Sequence, residues 1–335
     1  MKNRTVLRAR TVTSLAAVVT LAGSLALAGC SSDDGDSSSK SSGTSTTSST
    51  DPASPAATSS AADVAALDKV TVKGAVGKKP TLTVPKAFSV TGAVARVDTP
   101  GNGEAIKDGE MLSVDSIAVQ GADGTALGDT YSTSPQSMYF SESTIVPQLA
   151  AALKGQKVGT RVVYAAPSTD SEGKTVTYVY SLDVESAKTI PLRAQGTAVA
   201  PKSGLPTVKL NASTGEPSIT IPKSYKASKS LVSQTLITGK GTKVKATDSV
   251  TVQYSGWLTN GTEFDSSWQK GAPATFSLSQ VVQGWGKGLA GQTVGSQVLL
   301  VIPPSLGYGA QASGSIPANS TLIFVVDILD TQSAS

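Results

Sequence analysis

The chain contains no histidine and a single cysteine, Cys30. Histidine-based triads and histidine-ligated zinc, copper or iron sites are therefore excluded, as is an intrachain disulfide. The residues left to do chemistry are mostly aromatic, with few polar groups among them: Tyr254, Phe264 followed by Asp265, Trp285, Tyr308 and Phe324. Singly, each has an ordinary explanation. A Trp at helical spacing and a Tyr or Phe on a strand are core residues by default, and an Asp before Ser266-Ser267 caps a turn. Gly239 to Gly241 stands before charged residues in a strand context and is no phosphate loop. Lys2, Arg4, Arg8 and Arg10 account for the whole formal charge of +4, so the remainder is neutral and has no basic footprint for nucleic acid.

The elements that would position these residues are short and rich in β-formers. Ser249 to Leu258 alternates as a strand, with Val250, Val252 and Tyr254 on one face. Asn260-Gly261 is a turn signal, since both residues tolerate positive φ. Thr262 to Phe264 leads back, and Pro273 to Leu278 is another strand. Val281, Val282, Trp285 and Leu289 have the spacing of one short amphipathic helix, ended by Gly291. Gln297 to Ile302 and Ser320 to Leu329 are further strands. The pattern predicts an α+β fold, with one helix packed across a curved antiparallel sheet.

Taken together, the motifs resemble one family. Val252-Gln253-Tyr254-Ser255-Gly256, Gly261-Thr262-Glu263-Phe264-Asp265-Ser266-Ser267, Val281-Val282-Gln283-Gly284-Trp285, Gly307-Tyr308-Gly309-Ala310, Ile316-Pro317 and Leu322-Ile323-Phe324 are similar to FKBP-type peptidyl-prolyl cis-trans isomerases in content, order and spacing, over about Lys229 to Thr331. The resemblance implies a pocket with Trp285 as its floor, Tyr254, Phe264 and Phe324 as walls, and Val281, Val282 and Ile316 at the rim. It implies that Tyr308 donates its hydroxyl to a substrate carbonyl and that Asp265 sits beside the twisting amide. Such a site needs no cofactor and no metal. An X-Pro bond rotates slowly because resonance makes it partly double, with a barrier of about 18–20 kcal/mol. The planar amide is more polar than the twisted one, so an apolar pocket destabilises the ground state more than the transition state. A barrier lowered by about 7 kcal/mol corresponds to roughly a 10⁵-fold gain. Two positions depart from the family: Ala274 stands where an aromatic is common, and Lys270 where an Arg is common. One wall is expected to be more open and the contact to Asp265 weaker or absent.

An earlier stretch repeats the pattern without its chemistry. Lys79-Pro80-Thr81-Leu82-Thr83-Val84-Pro85-Lys86 echoes Glu216 to Lys223, and Ile145 to Gly159 echoes Val281 to Gly295, which indicates duplication of a whole domain. Projecting the second copy on the first sets Ile117 against Tyr254, Leu127 and Gly128 against Phe264 and Asp265, Leu149 against Trp285, and Tyr178 against Phe324. The expected organisation is a degenerate FKBP-like domain at 67–188, a linker and leading strand at 189–228, and the isomerase-like domain at 229–332. The linker reading rests on Pro191, Gly196, Pro201, Gly204 and Pro206.

The first residues read as an address. Basic residues, an apolar run from Val12 to Ala28, and Leu27-Ala28-Gly29-Cys30 resemble a bacterial lipobox, so 1–29 is expected to be a lipoprotein signal peptide and Cys30 the lipidation site. Residues 30–66, dominated by Ser, Thr, Asp, Gly, Ala and Pro, are expected to be a disordered tether, reaching roughly 30 Å as a flexible coil. The sequence thus leads to an extracytoplasmic protein, lipid-anchored to the cell membrane, that acts on proline-containing polypeptides. The resemblance also admits macrolide inhibitors. The alternative is a non-catalytic, proline-peptide-binding chaperone.

Overall fold

The computed structural model describes residues 59–170 and 172–333. The expected signal peptide, Cys30 and most of the expected tether lie outside the described residues. The tether's last residues do not continue its character. Helix α1 (Ala61–Leu67) is alanine-rich, and its N-cap Ser60 accepts from the Asp63 amide at 3.0 Å. The buried Asp63 carboxylate in turn accepts from the amides of Thr91 and Gly92. Helix propensity and a satisfied cap thus order a segment whose composition alone reads as coil.

The described residues are mostly β-sheet with three short α-helices, an α+β arrangement. The first half contains β1 (Thr71–Lys73), β2 (Thr81–Thr83), β3 (Val94–Thr99), β4 (Glu110–Gln120), β5 (Ala126–Asp129), β6 (Gln136–Phe140), α2 (Pro147–Leu153), β7 (Arg161–Thr169) and β8 (Thr175–Thr189). The second contains β9 (Thr197–Ala198), β10 (Thr207–Leu210), β11 (Pro217–Thr220), β12 (Val232–Thr238), β13 (Ser249–Leu258), β14 (Glu263–Ser266), β15 (Ala274–Ser277), α3 (Gln283–Leu289), β16 (Gln297–Ile302) and β17 (Leu322–Gln332). All strand pairs are antiparallel. One sheet runs β3-β7-β8-β4-β5 with β6 also on β4. The other runs β9-β12-β16-β17-β13-β14 with β15 also on β13. Apart from the added β9, the two have the same connectivity.

Each sheet carries a helix on one face and a hairpin on the other. In the second, Trp285 and Leu289 of α3 pack on Val250, Val252, Val298, Leu300, Val326 and Ile328. Three glycines weaken α3 as a helix, by about 1 kcal/mol each relative to alanine, and no side chain caps its N-terminus. They also let it approach the sheet. A Cβ on Gly284 would lie 2.3 Å from Ile302, and one on Gly288 2.5 Å from Leu300. The helix is held by tertiary packing, and its own propensity is low.

The opposite face is covered by β10–β11 and the chain following it. Leu205, Val208, Ile219, Ile221 and Tyr225 pack against the buried Trp257, Leu299, Val301, Ile323 and Val325. Residues 189–228 therefore do not form the expected linker. Strand β9 pairs with β12, and the Ala194 amide donates to the buried Asp327 carboxylate at 2.7 Å. A Cβ on Gly196 would stand 2.1 Å from the Thr238 carbonyl oxygen. That glycine marks a close approach of two backbones, where composition suggests flexibility. In the first half, β1–β2 covers the corresponding face with Val72, Leu82 and Val84 beside Phe88 and Val90. The sequence echo at 79–86 and 216–223 contains the second strand of each hairpin.

The Asp327 carboxyl gives this packing a pH dependence. Burial, opposed by hydrogen bonds from Ala194 and Gln297, pushes it up to about 6 from its ordinary 3.8. Below pH 3.8 the group is protonated in folded and unfolded chains alike. As pH rises from there to about 6 the unfolded chain ionises first, so stability falls, and above 6 a penalty on the order of 3 kcal/mol is complete. Asp327→Asn, with the Gln297 amide turned to match, is expected to gain on the wild type between pH 4.5 and 7.5 in urea unfolding. Parallel profiles would contradict this.

Candidate functional site

The aromatic cluster is assembled from four strands and one helix. Tyr254 on β13, Phe276 on β15, Trp285 on α3 and Phe324 on β17 meet at centroid distances of 5.3–5.4 Å for Trp285 with each of the other three. Phe264 on β14 adds an edge contact to Phe324 at 5.4 Å. The nearly perpendicular rings have the edge-to-face geometry that aromatic quadrupoles favour. They enclose one side of a cavity of about 520 Å³. All nine pocket residues nominated from the sequence line it: Tyr254, Phe264, Asp265, Val281, Val282, Trp285, Tyr308, Ile316 and Phe324.

Gly256 makes the Phe264–Phe324 corner possible. A Cβ there would lie 2.7 Å from the Phe264 ring and 2.7 Å from the Phe324 ring. Nothing in the motif around this glycine signals that role. Phe276 and Gln280, with Ser313, Gly314 and Ser315 of the small polar turn before Ile316, complete the lining. Phe276 had a signal, since it lies in a short run flanked by turn residues. Its pairing opposite Val250 on β13 is long-range information that no local pattern carries.

Polar groups concentrate at one corner. The Tyr254 hydroxyl donates to Asp265 at 2.5 Å, and Lys270 Nζ donates to the other carboxylate oxygen at 2.5 Å. Lys270 also lies 6.0 Å from the centre of the Tyr254 ring. The contact expected to be weak or absent is thus made by lysine. Burial, followed by the neighbouring Asp265 charge, pushes the Tyr254 hydroxyl far above its ordinary value, so it stays a donor at physiological pH. The Trp285 indole N–H is buried and has no hydrogen-bond partner among the described residues. Tyr308 stands at the mouth, 42% exposed, in the turn after the short 3₁₀ segment Pro304–Leu306. Ile316 is brought to the rim by its bridge to Ser313.

Asp265 is held by the strand pair behind it. The Tyr254 amide donates to Ser267 Oγ at 2.8 Å and the Ser267 amide donates to the Tyr254 carbonyl at 2.9 Å. The Ser267 hydroxyl bonds Gln253 in turn. This buried knot joins the start of the loop to β13.

The first sheet lacks the constellation. Gly256 pairs with Phe324 and Asp265, and Ala118 pairs with Tyr180 and Gly128. The counterpart of Tyr254 is therefore Ser116, and that of Phe324 is Tyr180. The projected Ile117 and Tyr178 are each out of place. Ile117 packs on the hairpin side with Phe88, Val90 and Val119, since a one-residue slip reverses the face. Leu149 does occupy the helix position of Trp285, packing with Leu112, Val114 and Leu153.

Part of the chain is similar to known proteins. Residues 240–329 match the family model of FKBP-type peptidyl-prolyl cis-trans isomerases. A probable FKBP-type peptidyl-prolyl cis-trans isomerase of Haemophilus influenzae is 51% identical over 98 residues, 29% of this chain and 41% of that protein. The FKBP-type peptidyl-prolyl cis-trans isomerase FkpA of Escherichia coli is 44% identical over 108 residues, 32% of this chain and 40% of that protein. The crystal structure of FkpA from Escherichia coli aligns with 37% identity and a TM-score of 0.31, covering 40% of this chain and 54% of that one. The likeness to FKBP-type peptidyl-prolyl cis-trans isomerases is carried by this C-terminal region. It spans about two fifths of the length of these curated relatives.

Proposed function

We propose that the C-terminal region is a peptidyl-prolyl cis-trans isomerase that assists the folding of exported or surface proteins. The carrying observation is the convergence of the nine nominated residues on one aromatic cavity with the Tyr254–Asp265–Lys270 corner at its edge. A prolyl ring enters against Trp285, the aromatic walls desolvate the X-Pro amide, and Tyr308 grips a flanking carbonyl. Asp265 faces the amide as it twists. No bond to the protein forms, so catalysis consists of binding the twisted amide more tightly than the planar one.

In this reading the chain holds two FKBP-like domains, the first degenerate, with residues 189–228 as the back-face cover of the second. Residues 1–29 are a signal peptide, Cys30 carries the lipid, and the polar segment after it spaces the protein from the extracytoplasmic face of the membrane. Macrolides that mimic the twisted amide are candidate inhibitors.

Asp265→Ala and Phe264→Ala separate catalysis from holding. Both are expected to lower kcat/KM for a short X-Pro peptide by about 10–100-fold, measured by exchange NMR. Asp265→Ala is expected to change peptide affinity little. A wild type that binds the peptide with exchange no faster than background, and a Phe264→Ala variant that loses affinity alone, would instead support a proline-peptide-binding chaperone.

A further inference from the structure

The two sheets touch in a place that bears on the pocket. Met111, Ile190 and Leu329 form a small buried cluster with Tyr139 packed against it. Around it, Lys188 pairs with Asp330 at 2.6 Å and Ser137 donates to Gln332 at 3.0 Å. Alongside, β6 lies against β15, the strand that carries Phe276. The Thr144 methyl lies 3.5 Å from the point a Cβ on Gly271 would occupy.

Gly271 closes a turn by donating to the Trp268 carbonyl at 3.1 Å, in the left-handed region at φ 76°. That turn carries Lys270, whose ammonium holds Asp265. The Ser267–Gln253–Tyr254 knot pins the loop at its start, while at Gly271 the loop comes against Thr144. Among the described residues the Trp268 indole N–H and the Thr144 hydroxyl are both buried without a hydrogen-bond partner, so neither polar group ties the loop to the first sheet.

We infer that the first sheet is a positioning element for the pocket: Thr144 and β6 hold the 268–277 segment, and through it the Lys270–Asp265 pair and Phe276. This rests on the isomerase reading for its consequence in rate, but not for the contact itself. Thr144 and Ile190 lie outside the pocket, and Lys188 is a surface residue.

The test uses the full chain with Thr144→Arg, with Ile190→Asp, and with Lys188→Glu alone and combined with Asp330→Lys. Hydrogen exchange of amides 268–277 is read beside kcat and KM for an X-Pro peptide, with circular dichroism reporting that both sheets stay folded. Thr144→Arg is expected to speed exchange in 268–277 by about tenfold and to lower kcat by a similar factor with KM little changed, as displacement of a transition-state group requires. Thr144→Ser is expected to behave as the wild type, and Asp330→Lys to restore what Lys188→Glu loosens. Should Ile190→Asp fail to fold, the Thr144 and charge-reversal variants decide. Unchanged exchange in 268–277 in both of those overturns the inference. A wild type without isomerase activity would refute the functional reading, while the exchange result would still decide this one.

Discussion

Gly256→Ala is expected to lower kcat/KM for an X-Pro peptide by about 100-fold while the chain stays folded. The added methyl would lie 2.7 Å from both the Phe264 and Phe324 rings, well inside carbon–carbon contact distance. Backbone relief is blocked, because Gly256 is paired with Phe324 on one side and Asp265 on the other. The rings must therefore turn, and Phe324 cannot turn without losing its contact to Trp285 at 5.3 Å. Overpacking of this kind costs about 1–3 kcal/mol of stability, whereas misplacing a pocket wall by about 1 Å costs about 100-fold in rate. Steady-state kinetics beside urea unfolding separate the two effects. The first sheet already carries this change: Ala118 occupies the matching position, and its sheet has Ser116 and Leu149 where the pocket has Tyr254 and Trp285. Wild-type kinetics in Gly256→Ala would show that the Phe264–Phe324 corner has no part in the site.

The second large effect is on stability, in the first sheet. Arg161 and Asp183 form a nearly fully buried pair, with Nε–Oδ1 and Nη2–Oδ2 distances of 2.6 Å. The guanidinium also donates to the carbonyls of Gly74 and Ala75, and the Gly77 amide donates to Asp183. The pair thus ties the β1–β2 segment to the start of β7 and the middle of β8. Asp183→Ala would leave the buried guanidinium with two neutral carbonyls and orphan the Gly77 amide, at a cost of about 3–5 kcal/mol. The first sheet is expected to unfold at lower urea, seen in its tyrosine signal, before the main tryptophan transition, because Trp257 and Trp285 are buried in the cores of the second half. Arg161→Met with Asp183→Leu is expected to cost much less, since no charge is then left unpaired. Equal losses in the single and double variants would contradict this account. The second sheet makes the same tie with Gln297, Asp327 and the Ala194 amide, using an amide where the first uses a guanidinium.

The pocket was more legible in the sequence than the frame around it. Trp285, Phe264-Asp265 and Tyr308 sit in short motifs whose order along the chain can be read directly, and β13 shows its alternation at Val250, Val252 and Tyr254. The register of β4 could not be read that way. Its apolar residues fall on both faces, Leu112 and Val114 on the helix side and Ile117 and Val119 on the hairpin side, so no single period-two set marks the face that serves the helix. Ile117 and Ser116 then differ in which face they serve, which only the pairing reveals. Residues 189–228 failed for a related reason. Proline and glycine mark both flexible connections and places where backbones crowd, and Gly196 belongs to the second kind. Gly256 and Phe276 were hidden because their neighbours come from strands distant in sequence.

The central claim is that the aromatic cavity catalyses rotation about X-Pro bonds, and the most direct measurement is cis–trans exchange of a short X-Pro peptide with catalytic amounts of the wild-type chain. The account expects exchange far faster than the spontaneous tens of seconds, falling towards background in Asp265→Ala. Exchange at the spontaneous rate while the peptide is bound would contradict it and leave the cavity as a holding site for proline segments.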